Sequence, residues 1–273
     1  MFPYIGGKYY QAKWITSFFP LYKYNVYAEP FGGAFWVGII SDFISRKIYY
    51  NDFNRHLFNV FSCCTNYKEF LKYLEKYNPQ DEYLYNEFKK EFKKIDVDSI
   101  EVPDYELAAI YVYLATQCFS GIMSGDIGKM IYREHTTFTP FINKLYNNKI
   151  RKKFDILKTF NLSYDKFIEV IDDEETLLYV DPPYWKTEYL YDFHDFGRKD
   201  HAKLAEMLNS CKSDWILSYY EYPDMHEWYP KSKFRWEYKD FIKYSSPAKK
   251  GVSKHNGTEL LVINIKKEEN PFF

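Results

Sequence analysis

The sequence predicts an α/β protein: an open sheet of buried strands interrupted once by a mainly helical insert. Three observations predict it. Residues 25–52 run strand, glycine turn, helix, strand, the order of a βαβ unit. Thr176-Leu177-Leu178-Tyr179-Val180 is short and almost wholly apolar, the pattern of a parallel strand buried on both faces. Between these regions, residues 62–153 change to Lys-, Glu-, Tyr- and Phe-rich stretches with helical spacing.

Asn25-Val26-Tyr27-Ala28 is the first strand, and Glu29-Pro30-Phe31-Gly32-Gly33 is the turn that leaves it. Ala34 to Ile44 is expected to form a helix with little polar surface. Lys47-Ile48-Tyr49-Tyr50 is the second strand, ending at Asn51-Asp52. In the insert, the charge run from Tyr67 to Lys94 is a solvated helix face, and Pro103-Asp104 precedes a helix over Tyr105 to Cys118. Gly121, Gly125 and Gly128 mark a loop leading to Thr136-Thr137-Phe138-Thr139-Pro140. After the insert, the strand Thr176 to Val180 runs into Asp181-Pro182-Pro183-Tyr184. Lys199 to Ser210 is an amphipathic helix with Leu204, Met207 and Leu208 on one face. Trp215 to Tyr219 and Leu260 to Ile265 are the closing strands. The expected division is a discontinuous domain of residues 1–61 and 154–273 around a helical domain of residues 62–153.

Composition narrows the class. The hydrophobic fraction of 46% beside a charged fraction of 27% gives the chain enough apolar surface to fold, which excludes global disorder. No apolar run reaches the ~18–20 residues that span a bilayer, and the N-terminus has no signal-peptide core. A cytoplasmic protein without membrane contact is expected, as a monomer. Cys63, Cys64, Cys118 and Cys211 form no CxxC pair and read as free thiols. The net charge of −1 means that any nucleic-acid partner must meet a local basic patch.

Three segments carry chemistry, each at the carboxyl end of a strand, where open α/β sheets bind ligands. Gly32 and Gly33 let the backbone approach a ligand closely. Asp52 lies 20 residues after Gly32 at the end of the next strand, a spacing at which a carboxylate commonly accepts from ribose hydroxyls. The missing GxGxxG disfavours a dinucleotide. Asp181-Pro182-Pro183-Tyr184 is the most specific: paired prolines hold the chain extended, so a carboxylate, a fixed carbonyl and an aromatic ring are presented together. That set suits a planar substrate with an exocyclic amine, stacked on the ring and donating both amine hydrogens to the two oxygens.

Asp181-Pro182-Pro183-Tyr184 matches the DPPY motif of amino-group DNA methyltransferases, and the segment order resembles the Dam-type (alpha class, D12) DNA adenine N6-methyltransferases. Tyr4-Ile5-Gly6-Gly7-Lys8 resembles their Y-x-G-G-K motif, Glu29 to Gly33 their cofactor loop, and Asn51-Asp52-Phe53-Asn54 their N-D-x-N. Cys118-Phe119-Ser120-Gly121 with Phe138-Thr139-Pro140-Phe141 resembles the core of their target-recognition region, and Asn256-Gly257-Thr258-Glu259 their N-G-T-[DE] stretch. The resemblance is weakest from Tyr67 to Asp104. It implies a Rossmann-like class I S-adenosylmethionine-dependent methyltransferase sheet that methylates N6 of a flipped adenine in double-stranded DNA without a metal. Tyr4, Gly7 and Lys8 would contact cofactor and substrate. Glu29, Phe31, Gly33, Ser163 and Asp181 would line the cofactor, and Asp52 would hold its ribose. Asp181 and the Pro182 carbonyl would bind the N6 amine, and Tyr184 would stack on the base.

Departures from the family pattern carry expectations of their own. Phe35 stands where the last glycine of the F-x-G-x-G loop falls, which either narrows the cofactor pocket or marks a phage-like branch. Ser163 replaces an acid of the N-x-D-[FY] segment, implying weaker cofactor affinity. Ser120 replaces an asparagine and an expected arginine is absent, so GATC specificity does not carry over. Candidate DNA contacts are Lys129, Arg133, Thr136 and Thr137 in the insert, and a basic, loop-like window from Lys231 to Lys254 that includes Lys249, Lys250 and Lys254. Asp200-His201 reads as polar structure at a helix start, and the histidines form no metal set. An RNA adenine methyltransferase and a catalytically weak DNA-binding relative are the alternatives. Defence, restriction protection, phage modification and regulation all remain open as roles.

Overall fold

A computed structural model describes residues 1–20, 24–42, 45–118, 121, 123, 127–132, 137–188, 196–242 and 256–266. A seven-stranded sheet organises them. The strands are β1 (Val26–Glu29), β2 (Lys47–Asn51), β3 (Leu157–Phe160), β4 (Thr176–Val180), β5 (Asp214–Tyr219), β6 (Arg235–Ile242) and β7 (Asn256–Asn264), in spatial order β3-β2-β1-β4-β5-β7-β6. β1 to β5 run parallel, and β7 is antiparallel to both β5 and β6. The order reverses between β1 and β4, which opens a crevice at their carboxyl ends. This is an α/β, Rossmann-like fold.

Strand residues alternate between two cores because successive side chains point to opposite faces. Leu177, Tyr179 and Ile216 face one cluster, while Leu178, Val180, Trp215 and Leu217 face the other. The second cluster is closed by α9 (Tyr164–Ile171), α10 (Arg198–Ser210) and α11 (Asp224–Trp228). The first is larger and takes in α1 (Ala12–Thr16), α2 (Trp36–Ile40), α3 (Arg55–Thr65), α4 (Tyr67–Leu74) and α5 (Glu82–Phe92). It also includes α6 (Tyr105–Gln117), α7 (Phe138–Tyr146) and α8 (Asn148–Phe154). Phe70, Tyr113 and Phe141 of the helical region thus share one hydrophobic cluster with Leu177 and Ile216 of the sheet. α6 explains this: every residue from Tyr111 to Gln117 is buried, so the helix runs through the middle of the helical layer. Asp104 starts it by accepting from the Leu107 N–H at 2.9 Å. All four cysteines are buried free thiols, and no helix among the described residues is long and apolar enough to cross a membrane.

Two expectations change. The helix expected over 34–44 is confined to Trp36–Ile40, because Phe35 enters in the left-handed region (φ 56°) and Ser41 leaves with extended ψ of 135°. Its apolar residues belong to a chain segment crossing the core, with Gly38 inside the helix. The basic window from Lys231, expected to be a loop, contains edge strand β6 from Arg235 to Ile242. Charged and aromatic residues alternate there from Arg235 to Lys239, a strand period that the charge count obscured. Charged edge positions also discourage pairing with another sheet. Its basic groups have partners within the chain: Arg235 pairs with Glu237 at 2.7 Å, and Lys231 lies 4.7 Å from the Trp236 ring centroid. Lys249, Lys250 and Lys254 lie outside the described residues.

Candidate active site

One cleft of about 1070 Å³, open solvent included, lies at the carboxyl ends of β1, β2 and β4. Tyr4, Gly7, Lys8, Glu29, Phe31, Gly33, Asp52, Ser163 and Asp181 all line it. Local folding explains their convergence. The Gly32 N–H donates to the Asn51 carbonyl at 2.8 Å, and a Cβ at Gly32 would lie 2.1 Å from the Tyr50 ring, so only glycine fits the turn. Asp52 fixes the same turn: its Oδ2 accepts the Gly33 N–H and its Oδ1 the Asn54 N–H, both at 2.8 Å. Burial pushes the Asp52 carboxyl up to about 6 despite those two donors. Asn51 ties in the third wall. It donates to the carbonyls of Pro30 (2.8 Å) and Leu162 (3.0 Å) and accepts the Leu162 N–H at 2.9 Å. Ser163 is thereby held at the cleft, at the N-terminus of α9.

Glu29 is buried at the end of β1. Its Oε1 accepts the Tyr27 hydroxyl at 2.7 Å and the Gly38 N–H at 2.8 Å, yet burial pushes its carboxyl up to about 8. The native state therefore holds this proton more tightly than the unfolded chain, whose ordinary value is 4.5. More protons are bound in the native state between these values, so stability falls as pH rises through that window. Glu29→Gln keeps an acceptor for both donors and removes the titration. Calorimetric scans of ligand-free protein from about pH 5 to about pH 8 should show Tm falling less in the variant than in wild type. Equal slopes would remove Glu29 from this account.

Asp181 leaves β4 into Pro182 and Pro183, both buried. Lys8 Nζ lies 2.8 Å from Asp181 Oδ1 and 3.8 Å from Glu259 Oε1. Burial raises the Asp181 carboxyl, against the lowering influence of Lys8 and of the Tyr184 hydroxyl. The Tyr184 hydroxyl donates to Glu259 Oε1, and its ring stacks on Tyr219 with centroids 5.1 Å apart. Tyr220 meets the same ring edge-on at 4.5 Å. Lys8 Nζ sits 4.6 Å from the Tyr184 ring centroid. His201 is buried behind this group rather than serving the helix start: it pairs with the Tyr219 hydroxyl, and its Nε2 lies 3.0 Å from Glu188 Oε1. The carboxylate can only accept, which places the imidazole proton on Nε2. Asp200 alone serves the helix start, accepting the Gly197 N–H at 3.0 Å.

Phe35 is one of the residues at the cleft wall, and its ring is turned into the core. The ring is 1% exposed and packs edge-on against Tyr50 (5.4 Å) and Phe61 (5.6 Å). Its backbone keeps the left-handed conformation that a glycine would adopt at little cost, while Gly38 clears the space the ring fills: a Cβ there would lie 2.3 Å from Phe35.

Of the candidate DNA contacts, Lys129 is exposed, and the Thr137 hydroxyl donates to the Thr116 carbonyl at 2.6 Å. Arg133 and Thr136 lie outside the described residues. Sequence reasoning gave no role to Phe53, half-exposed at the cleft beside Asp52, or to Trp36 at its lip. An exposed aromatic next to a strand-end carboxylate is a signal that could have found Phe53. Glu259 lay within a quoted motif, but its partners come from residues 8 and 184 and were not legible. Among the described residues no His, Cys, Asp and Glu cluster could hold a metal.

The family model for D12 class N6 adenine-specific DNA methyltransferase matches residues 4–243. The chain is similar to Type II methyltransferase M.CviBI of Paramecium bursaria Chlorella virus NC1A: 26% identical over 220 residues, covering 78% of this chain and 79% of that protein. It is also similar to Type II methyltransferase M.FokI of Planomicrobium okeanokoites, 23% identical over 234 residues, covering 78% of this chain. It spans only 34% of M.FokI's length. The match from residue 4 to residue 243 covers nearly the whole chain, which therefore belongs to the D12 class of N6 adenine-specific DNA methyltransferases.

Proposed function

We propose that this chain transfers a methyl group from S-adenosylmethionine to N6 of an adenine flipped out of a specific site in duplex DNA. The observation that carries the proposal is the junction of two subsites: the Glu29–Asp52–Ser163 cleft includes Asp181, and Lys8 on the same cleft wall contacts both Asp181 and the Tyr184 ring. The cleft fits the cofactor. Asp52 offers acceptors for ribose hydroxyls, Phe53 a ring for adenine, and the buried Glu29 a carboxylate for the ammonium end. When bound, S-adenosylmethionine would supply an already activated sulfonium methyl.

The chain's own residues then supply alignment. An adenine amine is a weak nucleophile because its lone pair is delocalised into the ring. Asp181 and the Pro182 carbonyl accept its two N–H groups, which favours electron density on N6 facing the cofactor side. Tyr184, braced by Tyr219 and Glu259, offers its ring to the base. As the bond from N6 to the methyl carbon forms, the methyl–sulfur bond would break, and the surplus N6 proton would pass afterwards to Asp181 or water, so Asp181 need not act as a base beforehand. A base inside a duplex cannot reach this buried group, hence the flip. Residues 62–153 are proposed as the target-recognition region, with Lys129, Arg133, Thr136, Thr137 and the Lys249, Lys250 and Lys254 segment as DNA contacts, and the cytoplasm as the working compartment.

Labelled S-adenosylmethionine incubated with adenine-containing duplex DNA is expected to yield labelled N6-methyladenine. An active preparation that labels RNA or protein but no DNA would sink the proposal. Duplex affinity is expected to fall by at least about tenfold between 50 and 200 mM salt, the signature of phosphate contacts. A filter-binding titration across that range checks it, and a flat response would remove the phosphate contacts.

A further inference from the structure

In this structure Lys8 holds both positions that an adenine would use. Its Nζ lies 2.8 Å from Asp181 Oδ1, where an amine donor belongs, and 4.6 Å from the Tyr184 ring centroid, where a base would stack. Lys8 is 6% exposed and its Nζ also donates to the Gly6 carbonyl at 3.0 Å, so a base that displaces it from Asp181 leaves a buried ammonium that has lost its carboxylate and gains from another. Glu259 on β7 is 1% exposed, with Oε1 3.8 Å from the same Nζ. The Tyr184 hydroxyl also donates to Glu259, but it is a neutral donor that a neutral acceptor would satisfy equally well. Burial and the neighbouring carboxylates raise the Tyr184 phenol well above its ordinary value, so it remains a neutral donor at physiological pH. The Lys8 ammonium is a cation within reach of this buried carboxylate.

We propose that Glu259 is the receiving carboxylate of a lysine exchange: on entry of the target base, Lys8 leaves Asp181 and closes onto Glu259, freeing Asp181 for the N6 amine. The exchange rests on the reading of this pocket as an adenine site. It keeps the ammonium paired throughout, which is what makes displacement affordable in a buried site. Without a base, Lys8 occupies the acceptor and keeps the two carboxylates from facing one another unpaired. Glu259 is thus a positioning residue that acts through Lys8.

A double-mutant cycle tests it, using wild type, Glu259→Gln, Lys8→Met and the double variant, each saturated with S-adenosylhomocysteine. The probe is 9-ethyladenine, which carries no phosphate, and its affinity is read by NMR titration. Glu259→Gln retains the acceptor for Tyr184 and nearly the same volume. It should weaken binding by about tenfold when Lys8 is present and by less than about twofold in the Lys8→Met background. An equal loss in both backgrounds, which a purely structural role through Tyr184 produces, overturns the exchange, as does no loss in either. Should Glu259→Gln not fold, Lys8→Met alone decides: removing the competitor should tighten binding by about tenfold, and unchanged or weaker binding overturns the proposal. Methyl transfer to duplex DNA is assayed in parallel on wild type. No labelled DNA with the expected cycle would fault the DNA-methylation reading alone; labelled DNA with a flat cycle would fault the exchange alone.

Discussion

Asp181→Ala is expected to lower methyl transfer by at least about 10³-fold while changing S-adenosylhomocysteine affinity by less than about threefold. The carboxylate sits at the end of β4, where paired prolines stop the chain from entering a helix and aim its oxygens at the cleft. Removing it takes away a fixed acceptor for the N6 amine, an interaction that strengthens as N6 gains positive charge in the transition state. The proposed cofactor subsite draws mainly on β1, β2 and the segment before α9, so its affinity should survive. The fold should survive as well, because Lys8 Nζ has Glu259 only 3.8 Å away to pair with. Single-turnover methylation and calorimetric titration measure the two effects separately. Unchanged turnover would remove Asp181 from its assigned role.

Asp52→Ala is expected to weaken S-adenosylhomocysteine binding by at least about 100-fold and to destabilise the fold by roughly 2–6 kcal/mol. Two effects combine. The variant loses the acceptor for ribose hydroxyls, and it orphans the Gly33 and Asn54 N–H groups, each held at 2.8 Å. The glycine turn then loses the side chain that ties it to the end of β2. Asp52→Asn, with one acceptor oxygen, should fall between the two proteins in both affinity and Tm. Calorimetric titration and thermal unfolding of the three proteins provide the check. Wild-type affinity in the alanine variant would place the cofactor elsewhere.

Much of the fold was legible because its signals are local. A βαβ order needs only a strand period, a glycine turn and an apolar stretch, all present between residues 25 and 52. The buried strand β4 announced itself by having no polar alternation, and it is paired in parallel on both sides. Strand β6 was missed because a window of many lysines was weighed by charge, whereas its decisive feature is alternation along an edge. The helix at residues 34–44 was overextended because apolar content does not report the left-handed backbone at Phe35 or the extended Ser41. The effect of Phe35 could not be read from a motif comparison. Whether a phenylalanine fills the cofactor cleft or the core depends on Gly38 three residues later, which leaves room for the ring to turn inward.

Sequence alone determined the class of chemistry. Asp181-Pro182-Pro183-Tyr184, the Gly32-Gly33 turn and Asp52 stand at strand ends, and their match to the motifs of the D12 family pointed to methyl transfer. Only the tertiary structure decided how they are held and what stands in the pocket. Lys8 comes from the N-terminal loop, Asp181 and Tyr184 from the end of β4, and Glu259 from β7, 75 residues beyond Tyr184 along the chain. No spacing rule links these positions. They meet because β4 and β7 flank β5 in one sheet, where strand order and not chain order sets distance.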